Sequence, residues 1–192
     1  VALAPFAALV ALALLPRRAA AEAFDHSPAL NGGKSRFVPL DPAKPLPKLK
    51  LLRLNGKPVE LAAKPGRPMV VNIWATWSQA CQTELPKLES LHEARGKDLD
   101  IAAIAEDGAA GVVAEPFLRK QGIKHLPVYL DPDGVAIATA SGKQLAGPFV
   151  RYTTPMSYLI TREGLIAGYI AGPVDWTSEA VNDLIAYLMQ AA

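Results

Sequence analysis

The stretch that most constrains this chain runs Met69-Val-Val-Asn-Ile-Trp-Ala-Thr-Trp-Ser-Gln-Ala-Cys-Gln-Thr-Glu-Leu-Pro86. Met69 to Trp74 is apolar and rich in β-branched residues except at Asn72, the pattern of a central strand covered on both faces. Two tryptophans and a serine then lead into a helical pattern. Leu85, Leu88 and Leu91 recur on one side, Lys87, Glu89, Glu93 and Arg95 are expected outward, and Gly96 is the expected stop. Pro86 falls inside that helix and is expected to kink it.

The remaining periodicities arrange themselves around this unit. Leu49–Leu54 and Pro58–Leu61 flank Asn55-Gly56 and predict a β-hairpin with a tight turn. Asp100–Ala105 predicts a second buried strand, Gly111–Lys120 a helix, and Pro127–Leu130 a short strand before the turn Asp131-Pro-Asp-Gly134. Met156–Ile160 and Leu165–Ala171 flank Glu163-Gly164 as another hairpin, and Val181, Leu184, Ile185, Leu188 and Met189 form the apolar stripe of a last helix. Strands alternating with helices predict an α/β fold: a central mixed sheet flanked by helices, parallel at its core, with an N-terminal β-hairpin and a closing antiparallel hairpin.

The N-terminal part reads differently. Val1–Leu15 is an uncharged Ala/Leu/Val/Phe run, followed by Arg17-Arg18 and by Ala21-Glu22-Ala23, a pattern cut by signal peptidases. Residues 1–23 are expected to be a signal peptide or a membrane anchor, with 1–15 as the possible tether. Residues 24–46, rich in Pro and Gly, are expected to be a linker without regular structure, and 47–192 the folded domain. Export follows from that reading.

Composition narrows the chemistry. A formal charge of +2 with mixed signs lacks the basic face that nucleic acid requires. Three scattered histidines and one cysteine give no metal-ligand spacing, and no cofactor is expected. A disulfide involving Cys81 must therefore be made with another molecule. Cys81 stands at the first turn of the helix, where the dipole and free N–H groups favour a thiolate; the bland alternative is a small buried hydrophobe. Ser78 is a preferred helix N-cap residue, and nothing in the sequence supplies the base a catalytic serine needs. Glu84, three residues beyond Cys81, lies on the same helix face, where burial would raise its pKa. Thr154-Pro155, opening an apolar strand after a loop, suits a cis peptide bond. Trp74 is expected in the core and Trp77 at the rim.

These motifs resemble the TlpA/ResA group of thioredoxin-like proteins. The resemblance covers roughly residues 46–190 and rests on Val-Val-Asn-Ile-Trp-Ala-Thr-Trp, the Cys-x-x-Glu-Leu-Pro helix start, Thr-Pro-Met-Ser-Tyr-Leu-Ile, and the tail Ile170-Ala-Gly-Pro-Val-Asp-Trp176. In that group the turn carries Cys-x-x-Cys; here the first cysteine, the nucleophile, is Ser78. Asn72 stands where thioredoxin itself has a buried acid. The resemblance implies a thioredoxin-like fold and a periplasmic protein disulfide reductase. It implies that Glu84 tunes the thiol chemistry and that Thr154 and Pro155 face Ser78 and Cys81, forming with Trp77 a groove for a partner segment. The partners implied are proteins with redox-active cysteines: Sco-type copper chaperones, the oxidase copper-site subunit, or apocytochrome c in cytochrome maturation.

Three functional readings follow. Cys81 works as a single thiol on partner disulfides, or the groove docks cysteine-bearing segments without exchanging electrons. In the third, Ser78-x-x-Cys81-x-Thr-Glu84 serves a peroxiredoxin-like peroxidase, although Trp74 stands where such enzymes carry proline.

Overall fold

Met69–Trp74 is indeed the axis of the molecule: all six residues are buried, and the strand pairs in parallel with Asp100–Ala105 and antiparallel with Met156–Ile160. The computed structural model describes residues 35–107, 111–139 and 147–190. In chain order the strands are β1 (Phe37–Pro45), β2 (Leu49–Leu52), β3 (Pro58–Leu61), β4 (Met69–Trp74), β5 (Asp100–Ala105), β6 (Val128–Leu130), β7 (Ile137–Thr139), β8 (Phe149–Arg151), β9 (Met156–Ile160) and β10 (Leu165–Ala171). The helices are α1 (Gln79–Arg95), α2 (Gly111–Lys120) and α3 (Glu179–Gln190). The main sheet runs β1-β10-β9-β4-β5-β6-β2-β3, and β7 and β8 form a separate parallel pair. This is the mixed α/β, thioredoxin-like sheet expected from the sequence.

Side-chain alternation along β4 divides the core. Val70 and Trp74 pack with Leu85 and Leu88 of α1, Leu118 of α2 and Leu184 and Leu188 of α3. Met69, Val71 and Ile73 face the other way, into a cluster with Leu51, Phe149, Tyr158 and Ile166. The buried residues of the three helices therefore share one face of the sheet, and the β7–β8 segment covers part of the other. Each fully buried leucine on α1 contributes roughly 1.5–3 kcal/mol of transfer free energy. Asn72 has the same parity as Val70 and Trp74, so its amide is turned beneath α1.

Several expectations need correction. The linker reading fails over Phe37–Pro45, which forms an edge strand antiparallel to β10, with Phe37 buried. Prolines 39, 42 and 45 fit there because an edge strand can leave N–H positions unpaired. The ladder shifts register between Pro39 and Lys44. Gly168 lets β1 approach so closely that a Cβ there would collide with Val38 O and the Phe37 ring. Residues 1–34, including the candidate signal or anchor, lie outside the described residues. Among the described residues no helix is long and apolar enough to cross a membrane.

The first hairpin forms, but its turn is wider than two residues: Arg53 donates to Lys57 O and Gly56 donates to Arg53 O, with Gly56 at φ 74°. Glu89, expected outward, is buried and accepts from the N–H groups of Lys124, His125 and Leu126 at 2.7, 3.0 and 2.9 Å. Those three donors precede β6 and, among the described residues, have no strand partner, so a carboxylate from α1 satisfies them.

Candidate functional site

The site lies where β4 ends and α1 begins. Ser78 leaves the strand with extended backbone (φ −86°, ψ 113°), and its Oγ accepts from the Cys81 N–H at 3.4 Å. That is the N-cap geometry expected of a serine here. The same hydroxyl donates to the Thr154 carbonyl at 3.2 Å, so Ser78 ties the start of α1 to the loop before β9. The Thr154–Pro155 peptide bond is cis, as expected, and Pro155 is buried.

Cys81 is fully buried. Burial pushes its thiol up to about 11; hydrogen bonding from Ser78 and the Ala75 backbone works against this, and the nearby carboxylates of Glu84 and Glu106 work with it. Burial thus works against the thiolate that the helix terminus alone would favour. Within the first turn the dipole contributes only a modest amount, and loss of water outweighs it.

Glu84 is 3 % exposed. Its Oε1 accepts from Trp176 Nε1 at 2.6 Å, from the Val174 N–H at 3.3 Å and, at the edge of hydrogen-bond range, from Asn72 Nδ2 at 3.5 Å. Asn72 also donates to Ser157 Oγ at 2.9 Å. Burial pushes the carboxyl up to about 8, against the lowering effect of these donors in the order Trp176, Val174, Asn72. Among the described residues the buried Oε2 has no hydrogen-bond partner.

Outside this buried pair the site is held by two acids at the carboxyl end of β5. Glu106 Oε1 accepts from Thr154 Oγ1 at 2.8 Å, and Oε2 pairs with Arg151 Nε at 2.6 Å. Asp107 accepts from both the N–H and the hydroxyl of Thr76, at 2.9 and 2.7 Å, fixing the turn between the tryptophans. Trp74 is fully buried, whereas Trp77 and Tyr152 are 67 % and 60 % exposed. All the residues read from the sequence thus gather at one end of the sheet. Glu106, Asp107 and Arg151 were not singled out; the available signal was an acidic pair ending a buried parallel strand, where α/β sheets place their ligands. Among the described residues no three His, Cys, Asp or Glu side chains cluster as a metal site.

This end of the sheet carries the Ser-x-x-Cys turn, the cis-proline loop and the buried glutamate in one construction, and the chain matches the Redoxin family over residues 41–187. It belongs to the Redoxin family. Within that family it is a thioredoxin-like protein of the TlpA/ResA type. Thiol-disulfide oxidoreductase ResA of Bacillus thuringiensis (strain Al Hakam) is 27% identical over 130 residues, 67% of this chain and 69% of that protein. Thiol:disulfide interchange protein DsbE of Pseudomonas aeruginosa is 33% identical over 110 residues, 57% of this chain and 54% of its own length. In fold, the Redoxin chain resembles a secreted thiol-disulfide isomerase from Corynebacterium glutamicum, with a TM-score of 0.62 at 22% identity over 86% of this chain and 96% of that one.

Proposed function

We propose that this Redoxin-family chain is a thiol–disulfide oxidoreductase that works with one thiol, Cys81, on a partner segment docked along Thr154 and Pro155. The observation that carries this reading is the Ser78–Thr154 contact, which sets the Cys81 turn directly against the docking loop. Trp77 and Tyr152 give that end exposed aromatic surface for a partner.

The chemistry differs from that of a cysteine pair. Once deprotonated, Cys81 attacks a partner disulfide; one sulfur stays bound to Cys81, and the other leaves as a thiolate that takes up a proton. With no second cysteine in the chain, release requires a thiol from the partner or from a small molecule. On this reading the partners are copper-site or cytochrome-maturation proteins with redox-active cysteines, met in the periplasm by a chain tethered or exported through residues 1–15; likeness to ResA and DsbE supports it.

Burial of the thiol favours a second reading, in which the groove binds such partners without exchanging electrons. The peroxiredoxin-like reading is the least favoured, because Trp74 stands where such enzymes carry proline.

Reaction with an aromatic disulfide reagent, followed by mass spectrometry across pH, separates the readings. One mixed disulfide per folded chain, forming faster as pH rises toward 11, supports single-thiol exchange. Reaction only on unfolding leaves docking alone.

A further inference from the structure

The tail Gly172–Trp176, singled out in the sequence only as part of a resemblance, touches both halves of the site. At one end the Gly172 N–H donates to the Pro155 carbonyl at 3.0 Å, so the tail holds the docking loop. Gly172 sits at φ 87°, a conformation that favours glycine. At the other end Val174 and Trp176 both donate to Glu84 Oε1. Between them, Pro173 O accepts from Ser35 Oγ at 2.9 Å and Asp175 pairs with Lys87 of α1 at 2.8 Å.

We infer that Gly172–Trp176 is a clamp that positions the docking loop and Glu84 together, with Trp176 as the positioning residue for Glu84. The indole is 1 % exposed and its N–H makes the shortest hydrogen bond to the Glu84 carboxyl. By engaging Oε1 it leaves Oε2 as the oxygen that carries or releases the proton. A tryptophan kept only for packing needs no partner for Glu84; this one directs its single polar atom at the one acid buried beneath the Cys81 turn.

The groups that face Glu84 define what else could answer for its titration. Asn72 and the Val174 N–H are neutral donors, Cys81 lies three residues earlier on α1, and the nearest ion pair on the tail is Lys87–Asp175. Removing the indole N–H alone isolates the tryptophan's part.

The inference rests on the site reading for Glu84, and its test does not depend on Cys81 being reactive. The full chain, labelled at glutamate side-chain carboxyls, is titrated by NMR as wild type, as Trp176→Phe, and with Trp176 replaced by benzothienylalanine, which keeps the shape and exchanges N–H for sulfur. The Glu84 midpoint rises by about one pH unit or more in both replacements, since a donor to the charged form is lost. Glu84→Gln identifies the signal. Where the folded chain also reacts with thiol reagents, Trp176→Phe shifts its pH profile in the wild type and leaves it unmoved in a Glu84→Gln background. A folded benzothienylalanine protein whose Glu84 midpoint stays in place overturns the inference. Failure of Cys81 to react overturns the exchange reading alone.

Discussion

Ser78 and Thr154 lie 76 residues apart and are joined by a hydrogen bond from the Ser78 hydroxyl to the Thr154 carbonyl. Because the same oxygen accepts from Cys81, one serine caps α1 and fastens it to the docking loop. Ser78 is thus a structural link between helix and loop. Ser78→Ala is expected to lower stability by about 1 kcal/mol through the lost cap, measured as a lower urea midpoint at unchanged slope. An unchanged midpoint would show that Ser78 is not serving as the cap.

Glu84 binds a proton more tightly in the folded chain than in the unfolded one, about 8 against an ordinary 4.5. The folded state therefore holds more protons between those values, and its stability must fall as pH rises through that window. Stability contributed by this group is complete below pH 4.5 and lost as pH passes 8. Glu84→Gln, neutral at every pH, flattens the decline and makes the variant relatively more stable on the alkaline side. Denaturant unfolding at pH 5, 7 and 9 checks this; equal pH dependence in both proteins would contradict it.

Glu89 accepts from three successive N–H groups, of Lys124, His125 and Leu126. Glu89→Ala leaves those donors without their partner and is expected to cost about 3 kcal/mol. Glu89→Gln keeps one acceptor oxygen and should lose less. Hydrogen exchange at the three amides localises the effect: they should lose protection first in the Ala variant.

Much of this arrangement was legible in the sequence because it rests on short-range patterns. The continuous apolar run of β4 and the 3.6-residue stripes of α1 and α3 fix which elements exist and which faces they bury. What escaped depends on partners far along the chain. Phe37–Pro45 carries a linker's composition, and only pairing with β10 makes it a strand. Glu89 resembles any exposed helix glutamate until the loop 35 residues later turns its amides toward it. Trp176 lies 92 residues from the acid it binds. At Cys81 a local rule, the helix dipole, competed with burial, and no reading of neighbours in sequence reveals how deeply a side chain will be enclosed.

On the proposed reading the thioredoxin-like site is complete except for the nucleophile at position 78. Ser78→Cys tests it most directly, by dithiothreitol-driven reduction of insulin disulfides. Ser78→Cys is expected to reduce insulin disulfides at least about tenfold faster than the wild type, and adding Cys81→Ala is expected to remove that gain. A folded Ser78→Cys protein no more active than wild type would contradict the claim.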